Sequence, residues 1–165
     1  MARGARMSDK PAPIMPRSAQ LLGYGGVIPF VGTSVVIWTM WPSEMGQTAL
    51  QAQLVYAAII LSFLGGIRWG SVMQRLGHFK RRAPEGLARE LSLSVVPPVV
   101  AWTTLFGPAE AALVVFFLFF VAQAISDFRA VRSGEAPDWY QPLRLQLTFF
   151  VCAALIASLV RLVIA

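Results

Sequence analysis

Few side chains in this sequence are able to do chemistry, and most of those are arginines. Arg68 is the costliest. It lies inside an apolar run, seven positions before Arg75, so about 10 Å inside the basic end of that segment at 1.5 Å per residue. A charge at the bilayer centre costs at least ~2.5–3.5 kcal/mol on insertion scales, less toward the interface, so it needs a partner or a route to water. Asp127 is the natural partner. It closes a later apolar run on the same side, where a carboxylate opposes the helix macrodipole and must be compensated. Arg144 opens the last apolar run at a compatible depth, and Arg129 is close in sequence. The expected constellation is Arg68, Asp127 and Arg144, flanked by Trp69 and Trp139, with Gln123 one turn before Asp127. More arginine than aspartate leaves net positive charge. That is the chemistry of a site for an anion, such as a lipid phosphate or a quinone-like headgroup. The plainer alternative is a structural ion pair that fixes helix register.

The rest of the inventory excludes more than it offers. His78 is the single histidine and Cys152 the single cysteine. An intrachain disulfide, a zinc site built from paired cysteines and a haem held by two histidines of one chain are therefore ruled out. No nucleophile–base pair, phosphate loop or carboxylate dyad appears, so no catalysis, cofactor or metal is expected.

Composition explains where such arginines can sit. Hydrophobic residues make up 56% of the 165, charged residues only 13%, and the mean hydropathy is +0.63. A soluble core of this length cannot hide so much apolar surface, so the bilayer is the solvent. Five apolar segments, at about 19–40, 50–76, 87–106, 109–128 and 143–164, are each close to the ~20 residues that cross a ~30 Å hydrocarbon core. The expected fold is an all-α polytopic bundle of five transmembrane helices over 19–165, behind a disordered tail at 1–18. Gly107 and Pro108 force a tight hairpin between the third and fourth segments.

The formal charge of +6 belongs to the loops and not to a nucleic-acid face. Arg3, Arg6, Lys10 and Arg17 precede the first segment, and Arg75, Lys80, Arg81, Arg82 and Arg89 bracket the second loop. Arg129, Arg132 and Arg144 bracket the fourth. The alternate loops, 41–49 and 107–108, contain no lysine or arginine. The positive-inside rule then predicts a cytoplasmic (or matrix) N-terminus and a periplasmic C-terminus, with Arg161 snorkelling to the outer headgroups. Membrane lipids are the expected partners.

Two features bear on packing. Ala58, Ser62, Gly66 and Gly70 recur every four residues, so they share one helix face, and Gly66 with Gly70 forms GxxxG. Such a ladder serves packing within the bundle or a homodimer. Pro29 predicts a kink in the first segment, and Pro97 with Pro98 predict one in the third.

The phrases LLGYGGVIPF, ILSFLGGIRWG, LSLSVVPPVVAW, ISDFRA and PDWYQPLRLQLT follow one another in an order that resembles the domain of unknown function 3429 family. The resemblance runs from Gln20 to about Leu159. FxGGxxWG and PxWYxxLR are its more specific parts. Trp69, Asp127, Trp139 and Arg144 fall on matching positions. The resemblance implies a small multi-spanning protein of bacterial inner membranes, or of the mitochondrial inner membrane in eukaryotes, and implies no established activity. The expected function is a non-enzymatic accessory protein that supports assembly or stability of a larger energy-transducing complex. The alternative is a small carrier or binder of an anionic or amphipathic molecule at the Arg-rich inner pocket.

Overall fold

A computed structural model describes residues 15–76 and 86–164, all of whose regular structure is helical. The tail through residue 14, His78 and the Lys80–Arg82 run lie outside the described residues. The helices are α1 (Arg17–Gly25), α2 (Ile28–Met40), α3 (Glu44–Leu76), α4 (Leu87–Thr104), α5 (Ala109–Arg132) and α6 (Tyr140–Val163).

The first apolar segment is one span made of two helices, α1 and α2. Its helix starts at Arg17, inside the expected tail, and is interrupted at residues 26–27. Pro29 therefore falls in the first turn of α2, where its missing N–H costs no intrahelical bond. The break leaves the Gly26 carbonyl free, and the Tyr56 hydroxyl on α3 donates to it at 3.1 Å. α2 ends at Met40, and Pro42 holds the capping residue Trp41 in extended backbone (ψ 138°).

α3 begins six residues before the expected boundary. Ser43 Oγ accepts from the Gly46 N–H at 3.4 Å and Glu44 occupies the first turn, so capping and dipole start the helix before its apolar stretch. At 33 residues it is about 50 Å long, more than a hydrocarbon core needs. α5 ends in a Schellman turn. Gly134 takes φ 76°, its N–H donates to Val131 O at 3.0 Å, and Glu135 N–H donates to Ala130 O at 2.9 Å.

Four stretches are long and apolar enough to cross a membrane: 17–40, α3, α5 and α6. α4, the third expected span, is not among them. It has only 18 residues, with Arg89 and Glu90 in its first turns and Ser92, Ser94, Pro97 and Pro98 along its length. It nevertheless packs along α3 for most of its length, while touching α5 only sparsely. Its helix runs continuously through both prolines.

The α3–α4 contact is built on Gly65, and the predicted ladder does not make it. A Cβ on Gly65 would lie 2.4 Å from Ser94 O and 3.2 Å from Pro98 Cδ. Pro98 has no N–H to offer its own i−4 carbonyl, which is that of Ser94. The freed oxygen rests against the one residue type that leaves room for it. Gly66 and Gly70 meet nothing within 4 Å, and Ser62 only donates back to Ala58 O. Of the ladder, Ala58 alone is buried.

Phe30 stands at the centre of the bundle, edge-on to Tyr56 and to Phe120 at 5.1 and 5.8 Å. Beside it lies a polar knot that joins α2, α3 and α6. Gln53, 0% exposed, donates from Nε2 to Phe30 O at 3.2 Å and to Ser34 Oγ at 2.8 Å. Ser34 spends its proton on Ala154 O, so Ser158 is the donor in the 3.1 Å Ser34–Ser158 contact. Gln53→Ala is expected to destabilise the bundle by about 2 kcal/mol, the loss of two buried hydrogen bonds. Equilibrium unfolding in mixed micelles measures it. Arg161 also has a protein partner. It donates to Trp38 O and Trp41 O at 3.3 and 2.9 Å, closing the C-terminus of α2, where a cation suits the dipole.

Candidate functional site

A cavity of about 600 Å³ opens at the basic end of the bundle, between α3, α4, α5 and the start of α6. Its charged lining consists of Arg68, Arg89, Arg129, Glu90, Asp127 and Glu135 among the described residues. By formal charge the six cancel. Their partners do not leave them so.

Each carboxylate is engaged by an arginine that does not line the cavity. Arg75, at the end of α3, binds Glu90 of α4 through Nη2 and Glu135 through Nη1, the latter at 3.1 Å. The Schellman turn at Gly134 is what brings Glu135 to that point. Asp127 is bound by Arg144 Nε at 2.5 Å. Arg144 sits behind the cavity wall, 8% exposed. The Tyr140 hydroxyl also lies against the Asp127 carboxylate. Three lining cations remain without a carboxylate partner among the described residues: Arg68, Arg89 and Arg129. Arg68 is part-buried and donates from Nη1 to the Ser126 hydroxyl, a neutral group.

The expected cluster is thus divided in two. Arg144 and Asp127 form a direct pair, whereas Arg68 bonds to Ser126 and not to Asp127. Adjacent residues on a helix point about 100° apart. Ser126 faces α3, and Asp127 faces α6, where Arg144 takes it. Trp69 lies elsewhere. It is 43% exposed, in an apolar groove on the outer side of α3 and α4 with Val95 and Val99. Trp139 packs edge-on against Tyr140 at 6.1 Å, one residue removed from the lining. Gln123 lines the cavity and is buried, as its spacing from Asp127 suggests.

A family model for proteins described as of unknown function (DUF3429) matches residues 15–160, nearly the whole chain. The chain belongs to this family. Every residue of the cavity lies within the matched span. The chain is also 32% identical over 148 residues to transmembrane protein 69 of Xenopus tropicalis. That match covers 88% of this chain and 54% of the relative, so the chain spans about half the length of the curated relative it matches. No solved structure matches. With four stretches able to cross a bilayer, this member of the family is a multi-pass membrane protein.

Sequence reasoning assigns no site role to Ser126, Tyr140, Arg75, Glu90 or Glu135. Ser126 carries no charge, so nothing in its type marks it as an arginine acceptor. Arg75 and Glu90 are 15 residues apart on different helices, and only the packing of α3 against α4 makes them neighbours. Arg144 Nη2 and Thr148 Oγ1, one turn apart on α6, are buried without a hydrogen-bond partner.

Proposed function

We propose that this protein is a non-catalytic membrane protein that holds an anionic, phosphate-bearing group in the cavity at its basic end. One observation carries the reading. Arg68, Arg89 and Arg129 line a common cavity without carboxylate partners among the described residues, while every lining carboxylate is held elsewhere. Guanidinium groups without counter-ions, Arg68 part-buried and Arg89 and Arg129 exposed toward the rim, favour a phosphate, which their planar forks fit. In this reading α4 crosses the bilayer with the other helices, which gives five crossings. The packing of α4 against Gly65 supports that count. The basic end then faces the cytoplasm of a bacterial inner membrane, or the mitochondrial matrix, as the loop charges favour.

The test uses the full chain in a neutral detergent, with lysophosphatidic acid and glycerol 3-phosphate as probes. A probe that binds raises the melting temperature of the wild type. In the triple variant R68A/R89A/R129A that shift disappears. Arg68→Ala alone weakens binding by roughly 10–100-fold, the worth of one hydrogen bond to a charged group. Equal shifts in the wild type and the triple variant overturn the reading.

A second reading is an accessory role in the assembly or stability of a larger, energy-transducing membrane complex. It is favoured by the small-residue face Ser62, Gly66 and Gly70, which no helix among the described residues covers. Native mass spectrometry of a mild-detergent extract decides it. A strictly monomeric species with no co-purifying chain counts against that role.

A further inference from the structure

The cavity has two ends of different character, and its side opens where lipid lies. From the level of Ser126, where Arg68 is bonded, the lining continues along α5 to Phe119, seven residues or roughly 10 Å further from the basic end. That deeper end is walled by Leu64, Leu93, Val96, Pro97 and Phe119, all apolar. The arginines and their polar neighbours occupy the other end. Three lining residues on the facing sides of α4 and α5 are also exposed: Leu93 at 42%, Val96 at 47% and Ala122. α4 leans on α3 and barely touches α5, so the cavity wall is incomplete along the α4–α5 seam. In a bilayer that seam faces acyl chains, whereas a site for a water-soluble anion needs no apolar extension and no lateral opening.

We propose that the occupant is an anionic phospholipid, admitted laterally between α4 and α5. Its phosphate rests on Arg68, with Arg89 and Arg129 nearer the rim. One acyl chain lies along Leu64, Pro97 and Phe119. This rests on the anion reading above and adds the chain to it. Charge complementarity selects the headgroup, since a phosphate monoester carries about −1.5 to −2 near neutral pH, and at this end the five arginines Arg68, Arg75, Arg89, Arg129 and Arg144 exceed the three carboxylates by two. Each methylene buried in the apolar end multiplies affinity by about fourfold.

Lysophosphatidic acid and glycerol 3-phosphate share the phosphate monoester and differ in the acyl chain, so they separate the two parts. Binding to the full chain in neutral detergent is read by native mass spectrometry and thermal shift, with neutral monoacylglycerol as a control for detergent-like effects. The expected result is that lysophosphatidic acid binds at least about 100-fold more tightly than glycerol 3-phosphate. Ala122→Phe, which fills the seam without touching an arginine, removes that advantage and leaves the glycerol 3-phosphate response intact. If Ala122→Phe does not fold, Val96→Phe fills the same opening from α4. Equal affinity for the two probes overturns the lipid inference and leaves the anion reading standing. So does an advantage that survives a folded seam-filling variant. Binding of neither probe, or binding that R68A/R89A/R129A does not weaken, overturns the anion reading itself. Equal binding of monoacylglycerol and lysophosphatidic acid overturns the assignment of an anionic headgroup.

Discussion

Gly65→Ala is expected to lower the unfolding free energy by about 2–3 kcal/mol, the upper part of the range for overpacking a well-filled contact. The atom it meets is Ser94 O, 2.4 Å from the Cβ position, and a helix backbone cannot step aside as the end of a side chain can. Pro98 Cδ and Cγ, at 3.2 and 3.3 Å, close the other escape. α4 must therefore move away from α3, which also strains the clasp of Arg75 on Glu90. The neighbouring glycines supply the control. Gly66→Ala and Gly70→Ala add a methyl to open space and remove backbone freedom from the unfolded chain, so each stabilises by up to about 1 kcal/mol in isolation. Unfolding of the three variants in mixed micelles orders them. If Gly66→Ala proves the damaging one, α3 and α4 meet in a different register. If Gly66→Ala leaves the monomer stable yet disperses an oligomer, the open face serves a partner.

Those glycines also show how far the sequence could be read. Each apolar segment corresponds to helix, with ends that lie up to six residues from its apolar boundaries, because burial in lipid needs only length and apolarity. α3 and α5 overrun their apolar stretches, since capping and turn chemistry at Ser43 and Gly134 set their ends. The GxxxG pattern pointed to Gly66 and Gly70, one residue and about 100° away from the face that packs. Two adjacent glycines do not say which of them meets a neighbour. That is decided by the carbonyl that Pro98 frees on another helix. The candidate site follows the same logic. Charge and depth alone place Arg68, Asp127 and Arg144 together and make Asp127 the natural partner of Arg68, whereas the pairing depends on the rotation of α5, which gives Ser126 to Arg68 and Asp127 to Arg144. Gln53 was invisible as a core residue because its polarity hides the fact that three helices converge on it.

Asp127→Asn is the second large effect expected, a loss of about 3–5 kcal/mol, the cost of removing one member of a buried ion pair. The burial is unequal, and that predicts an asymmetry. The Arg144 side chain is 10% exposed and that of Asp127 18%, and only Asp127 reaches the cavity. Arg144 Nη2 is already unpartnered, so without the carboxylate its guanidinium has no counter-ion and little access to water. Arg144→Met leaves Asp127 beside the cavity and the Tyr140 hydroxyl, where water can reach it, and so costs less than Asp127→Asn. The double variant D127L/R144M removes both charges together and regains most of the loss, because apolar side chains of similar volume avoid the desolvation penalty. A coupling energy of at least about 2 kcal/mol across the cycle of D127L, R144M and D127L/R144M, from unfolding in mixed micelles, establishes the pair as a structural unit. The same variant divides structure from function. Arg68, Arg89 and Arg129 are untouched in it, so a stable D127L/R144M protein still binds lysophosphatidic acid. Loss of binding with stability restored would instead make the Asp127–Arg144 pair part of the anion site.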